Sequence, residues 1–245
     1  MILMYHNIDD VAAFNTVSMK NLSQQLKFVK ANFDIVDMDT YLKTINKSNS
    51  NNVVISVDDA YVSFENFFVP LLEQLNIPVI LFVPVNHIAK YNIWDEGKKR
   101  IEILSREKIK LISQNKFVTI GSHGLTHSRL SKLEDEDIKN EIVKSKYELE
   151  KLIAGEIKHF SYPFGQMNDY NKLAIETLKK SGYKSACSTR FRNNNYNNNL
   201  YNLFRVEVEP SDNMELFKKK CNNHYHFKYF KRLIKENMLK MKLIK

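Results

Sequence analysis

The sequence predicts an α/β chain folded as a single domain, a distorted or incomplete (β/α) barrel of mostly parallel strands. Three observations carry that expectation. Short runs that are apolar almost throughout, the strongest being Val53-Val54-Ile55-Ser56-Val57, read as strands covered on both faces. Stretches with three- and four-residue apolar spacing separate these runs, the alternation of a parallel sheet with helices outside it. The chain has 245 residues and 43% hydrophobic content, enough for one sizeable core, while 6 Gly and 5 Pro leave little for an interdomain linker. Some seven strand–helix units, with no Gly-rich phosphate loop after any strand, favour a barrel over an open nucleotide-binding sheet.

Each element has a local reason. Ile2 to Tyr5 is a short apolar run ending at His6 and reads as the first strand. Ser18 caps a helix with Leu22, Leu26, Val29 and Phe33 on one face. Phe33 to Val36 reads as a strand, and Asp39 opens a helix through Tyr41, Leu42 and Ile45. The polar loop Asn46 to Asn52 then leads to the central strand, which runs into Asp58 and Asp59. Ser63 to Leu75 has helical periodicity, and Pro78 marks entry to the strand Val79 to Val83. Residues 86 to 97, with Trp94, have no clear period. Ser105 caps a helix reaching about Asn115, and Phe117 to Ile120 is a strand ending at Gly121-Ser122-His123-Gly124-Leu125-Thr126-His127. A charged helix spans Leu133 to Ile153, and His159 to Tyr162 is a strand before Pro163-Phe164-Gly165. Asp169 caps a helix ending at Gly182, and Tyr183 to Ser188 and Phe204 to Val208 are the last strands, separated by the Asn-rich loop Asn193 to Asn199. Residues 1–212 would form the barrel and residues 213–245 a basic helical extension.

Composition narrows the setting. Cys187 and Cys221 make no disulfide framework and no Cys-x-x-Cys pair, which points to a reduced compartment. Met1 leads directly into a strand with no secretory pattern, and no apolar run approaches the ~20 residues of a membrane span, so a cytoplasmic location is expected. The net charge of +9 is concentrated at the end, where Lys218 to Lys245 holds Glu236 as its single acid. Phe227, Phe230, Leu233, Ile234, Met238 and Met241 interleave with those cations, as in a helix lying at the inner membrane face. A solvated basic helix fits the same pattern. The cations come with no aromatic platform or reading helix, so no nucleic acid is expected as a partner.

Chemistry gathers at strand ends, where α/β barrels place their sites. Asp58 and Asp59 form either a turn or a catalytic pair. Adjacent strand side chains point to opposite faces, so two roles require the backbone to turn there. His123 and His127, four apart, would share a face if that segment is a helical turn. Two His with Asp59 make the three-ligand set of a catalytic zinc site with one open position. In Tyr162-Pro163-Phe164-Gly165, Pro fixes φ and Gly allows a tight bend, so the Phe164 N–H either joins an ordinary turn or faces a pocket as an oxyanion donor.

Ser56-Val57-Asp58-Asp59-Ala60-Tyr61, Ser122-His123-Gly124-Leu125-Thr126-His127 and Ser161-Tyr162-Pro163-Phe164-Gly165 together resemble the first three motifs of the polysaccharide deacetylases, carbohydrate esterase family four, in that family's order. The similarity spans about residues 1 to 210. It implies a distorted (β/α) barrel and metal-dependent hydrolysis of an N-acetyl, less often O-acetyl, group from a sugar. It implies Asp58 as general base, Asp59, His123 and His127 as ligands of a divalent metal such as Zn2+, and the Phe164 N–H as oxyanion donor. Tyr61, Tyr162 and Arg205 are expected at the substrate, an acetylated sugar of a glycan or of a lipid- or nucleotide-linked precursor. Ala60 departs from the family's usual Gly, Gly124 from a frequent Ser or Thr, and Ser161 from an Arg that orients the base; Arg205 is the cation available to replace it. The family's late Leu-x-His motif is absent, and Met4-Tyr5-His6 resembles the opening of circularly permuted members, which implies His6 as the general acid. A carbohydrate-binding pseudoenzyme and a metal-dependent amidase on a small amide are the alternative readings.

Overall fold

A computed structural model describes residues 1–222, except residues 12, 48–49, 96, 193–194 and 196–198. The basic segment 223–245, and all of the expected Asn-rich loop but Asn195 and Asn199, lie outside the described residues. The elements are β1 (Ile2–Tyr5), β2 (Asn7–Ile8), β3 (Thr16–Val17), α1 (Met19–Asn32), β4 (Asp34–Ile35), α2 (Met38–Thr44), β5 (Asn52–Val57), α3 (Val69–Leu75), β6 (Val79–Val83), α4 (Arg106–Ile112), β7 (Val118–Ser122), α5 (Asp135–Ile153), β8 (His159–Ser161), α6 (Lys172–Lys180), β9 (Ser185–Phe191), β10 (Leu203–Glu207) and α7 (Met214–Cys221).

β1 pairs with both β10 and β5, and this closes the sheet. Around the barrel the order is β1-β5-β6-β7-β8-β9-β10, seven strands, all parallel. β4 adds a short ladder at the start of β5, and β2 and β3 pair separately. The expected (β/α) barrel is therefore present, with seven staves.

Strand periodicity sorts the side chains. Val53, Ile55 and Val57 of β5 pack outward in the layer shared with the helices, together with Leu26 of α1, Leu72 of α3 and Ile142 of α5. Val54 points inward and packs with Ile2, Ile80, Phe82, Cys187 and Leu203, and Met38 and Tyr41 of α2 join that inner cluster. The interior is tight: a Cβ on Gly121 would stand 2.5 Å from the Phe82 ring. With a period of two, the next inward positions on β5 are Ser56 and then residue 58.

Three local expectations need correction. Asp37, not Asp39, caps α2, accepting from Thr40 N at 2.8 Å, while the Asp39 carboxylate receives Lys158 at 3.0 Å. Asn171, not Asp169, caps α6; Asp169 is held by Arg129 and by Gln166 N. The helix after β5 opens as a π-helical turn, Phe64–Phe68, before α3. In the first two cases two side chains capable of capping lie close together, and partners distant in sequence select one of them.

The helix at the end of the described chain docks on the barrel. Phe217 of α7 is fully buried, edge-on to Phe28 of α1 with centroids 6.1 Å apart. Phe217→Ala should cost about 3–5 kcal/mol of unfolding free energy, against less than about 0.5 kcal/mol for Ala at exposed Tyr147. Urea denaturation of the two variants checks this.

Candidate metal centre and active-site pocket

Strand phase aims Asp58 into the barrel. There it meets Arg205 of β10, which is fully buried. Arg205 donates Nη1 to Asp58 Oδ1 and Nη2 to Oδ2, both at 2.7 Å, a two-pronged ion pair. Its remaining donors go to Ser56 Oγ, Ser161 Oγ and Ser188 O, so the guanidinium is satisfied on every side that is described. Burial alone would raise the Asp58 carboxyl; Arg205 and then His123 outweigh it and hold the group well below the ordinary carboxylate range. Asp58 is ionised at neutral pH.

If β5 simply continued, Asp59 would face the helices. It does not, because Asp59 (φ 73°) and Ala60 (φ 52°) take left-handed backbone. This break answers the constraint on adjacent carboxylates: Asp58 keeps the strand's direction and Asp59 swings into the same pocket. His123 and His127 follow the end of β7. Their segment is no helical turn, contrary to the condition on which a shared face was expected. Gly124 (φ 76°) and His127 (φ 56°) bend the chain back, and the rings meet edge to face with centroids 4.8 Å apart.

Asp59 Oδ1 lies 3.5 Å from His123 Nε2 and 3.3 Å from His127 Nε2. One donor atom from each of these three buried residues fits within 4.8 Å of the others. His123 Nδ1 lies 2.8 Å from Ser161 O; a carbonyl can only accept, so Nδ1 carries the proton and Nε2 presents a lone pair. Burial lowers the His123 pKa to about 4, keeping the ring neutral. Among the described residues no hydrogen bond of proper geometry reaches Asp59 Oδ1, a buried anionic oxygen. A buried carboxylate oxygen, the His123 Nε2 lone pair and the His127 Nε2 atom converge, and this is the donor set of a divalent cation; the residues present fit one.

These groups line a cavity of about 340 Å³. His6, which follows β1, lines it, as does Phe164. Phe164 (φ 59°) and Gly165 (φ 63°) form a tight bend in which Gly165 N reaches Pro163 O. Trp94 stacks on the His127 ring at 3.9 Å and Arg129 lies 3.8 Å over the Phe164 ring, so both walls are buttressed. Tyr61, Tyr162 and Arg205, expected at the substrate, do not line this cavity. The Tyr61 hydroxyl is buried against Asp59 and Asn92, Tyr162 donates to Tyr201 O and stacks on Tyr170, and Arg205 lies beneath Asp58. Sequence reasoning missed Phe14, Trp94, Asp95, Arg129, Gln166, Thr189 and Glu207, all of which line it. The lone tryptophan in an aperiodic stretch was the one available signal; the others carry none.

Residues 45–186 match the sequence profile of the family described as Polysaccharide deacetylase. The chain belongs to the polysaccharide deacetylase family. YxkH of Bacillus subtilis (strain 168), named as a polysaccharide deacetylase, is 24% identical over 213 residues, 85% of this chain and 71% of its own. Among solved structures, BC0361, a polysaccharide deacetylase from Bacillus cereus, superposes with TM-score 0.73 at 24% identity, covering 90% of this chain and 68% of that one. The Streptococcus pyogenes deacetylase PplD, solved with acetate, gives TM-score 0.76 at 19% identity over 90% and 96%. Both likenesses are of fold.

Within this polysaccharide deacetylase framework two departures acquire physical accounts. Ser161 stands where the resemblance implies an arginine, and Arg205 brings a guanidinium to the Asp58 carboxylate from β10. Ala60 adopts left-handed backbone although glycine bears that conformation more easily. Arg205→Met should leave Asp58 buried without its cation. In the native chain the depressed Asp58 pKa contributes stability above the unfolded value near ~3.9, lost only as pH falls through the folded value. In the variant the main opposition to burial is gone, and the Asp58 pKa is expected to rise above the unfolded value. The destabilisation, about 3–5 kcal/mol at pH 7, should therefore shrink as pH is lowered toward 5, where protonation removes the buried charge. Urea unfolding at several pH values checks it; a loss independent of pH would contradict the pairing.

Proposed function

We propose that the chain is a metal-dependent carbohydrate deacetylase that hydrolyses an N-acetyl, or O-acetyl, group of a sugar in a surface polysaccharide, glycolipid or precursor. The observation that carries this reading is the convergence of Asp59 Oδ1 with the Nε2 atoms of His123 and His127 beside ionised Asp58. One carboxylate and two imidazoles suit zinc. When bound, a divalent ion supplies Lewis acidity toward the acyl carbonyl and toward water.

The chain's own groups do the rest. Asp58 accepts the proton of the attacking water, whose oxygen adds to the acetyl carbon. Arg205 fixes the direction of the Asp58 carboxylate. The Phe164 N–H, at the left-handed bend, donates to the carbonyl oxygen as it gains charge. The C–N bond then breaks; His6, on the cavity wall, gives its proton to the departing nitrogen, leaving acetate and a free amine. Trp94 and Phe14 bound the sugar's space. Replacement of the family's arginine by Ser161 would favour a pseudoenzyme if the base lacked a cation, but Arg205 supplies one.

Asp58→Asn should lower acetate release from N-acetylated amino-sugar oligosaccharides by about 10²–10⁴-fold while metal content stays at the native level. Asp59→Ala should lose both. His6→Ala should lose about 10²-fold while metal content stays at the native level. Acetate assays paired with metal analysis check all three; near-native turnover by Asp58→Asn would refute the mechanism.

A further inference from the structure

Glu141, on α5, is 5% exposed, and its partners are not cations but the loop between the two histidines. It accepts from Leu125 N at 2.8 Å, from Thr126 N at 3.0 Å and from Thr126 Oγ1 at 2.5 Å. A carboxylate in such a place is costly to desolvate, so those donors supply its solvation and are in turn tied to it. Thr126 is held on its other side as well, its carbonyl lying 3.1 Å from His87 Nε2. The next residue is His127, a non-glycine at φ 56°, a conformation that persists only where surroundings enforce it. Gly124 completes the fit: a Cβ there would stand 3.0 Å from Glu141 Oε2, so the missing side chain leaves the carboxylate its place.

We infer that Glu141 is a positioning residue that sets the placement of His127 relative to His123 and thereby the ion affinity of the pocket. The inference rests on Asp59, His123 and His127 being the ligands. Ligand constellations tolerate errors of only about 0.5 Å, and removal of groups that orient ligands typically weakens metal binding by about 10–100-fold. Glu141→Gln keeps the shape of the side chain but replaces one accepting oxygen with an NH₂ group that faces N–H donors. Glu141→Asp keeps the charge and draws it back from the loop.

The test is Zn2+ affinity of the metal-free 245-residue chain, measured by competition with a chromophoric chelator. Glu141→Gln should bind Zn2+ about 10–100-fold more weakly than wild type, and Glu141→Asp by an intermediate factor. Leu149→Ala, a core truncation on the same helix, should unfold at lower urea yet keep native affinity. If Glu141→Gln or, should that variant not fold, Glu141→Asp binds as tightly as wild type, the inference fails while the ligand set stands. Equal weakening in Leu149→Ala also overturns it, since the effect would then be loss of stability alone. A wild type that takes up no Zn2+, Co2+ or Mn2+ overturns the ligand assignment, and the inference with it.

Discussion

The ion pair between Arg205 and Asp58 is the constraint around which this barrel's upper interior is arranged. A carboxylate at the inward end of a buried strand would protonate or force the strand apart, because desolvation of one charge outweighs ordinary packing gains. Arg205 reaches it from β10, and its fork contacts both carboxylate oxygens while Ser56, Ser161 and Ser188 take the remaining donors. Four strands of the seven thus meet at one guanidinium. Asp58 stays ionised without exposure to bulk water, the state a proton acceptor needs.

Around that pair, the three strands that end in the sequence motifs run into left-handed backbone. β5 breaks at Asp59 and Ala60, the loop after β7 bends at Gly124 and His127, and the turn after β8 bends at Phe164 and Gly165. A regular strand would send alternate residues outward, and neighbouring carboxylates could not serve one cavity. The bends remove that alternation where it would be harmful. They cost about 1–3 kcal/mol each for non-glycine residues, and ring contacts such as Trp94 on His127 and Arg129 on Phe164 flank them. The geometry of the Asp59, His123 and His127 cluster is therefore a property of the packed shell as much as of these three side chains.

The sequence alone determined a good deal. Short runs apolar almost throughout, with helices between them, specify the parallel barrel, because such strands are stable only when both faces are covered. The three motif segments each end a strand, so their meeting at one rim follows from the barrel's polarity, and Asp58, Asp59, His123, His127, His6 and Phe164 do line one cavity. The sequence offered Arg205 both as a partner of Asp58 and at the sugar, and the fold places it under Asp58. What the tertiary structure alone decided are other contacts between residues far apart in the chain: Tyr162 in the core rather than at the pocket, Trp94 brought against His127, Glu141 against the histidine loop. Local patterns record which face of an element is apolar. They carry no mark of which polar side chain on a distant element completes a buried charge, since one charged residue of α5 reads like the next until packing selects its partner.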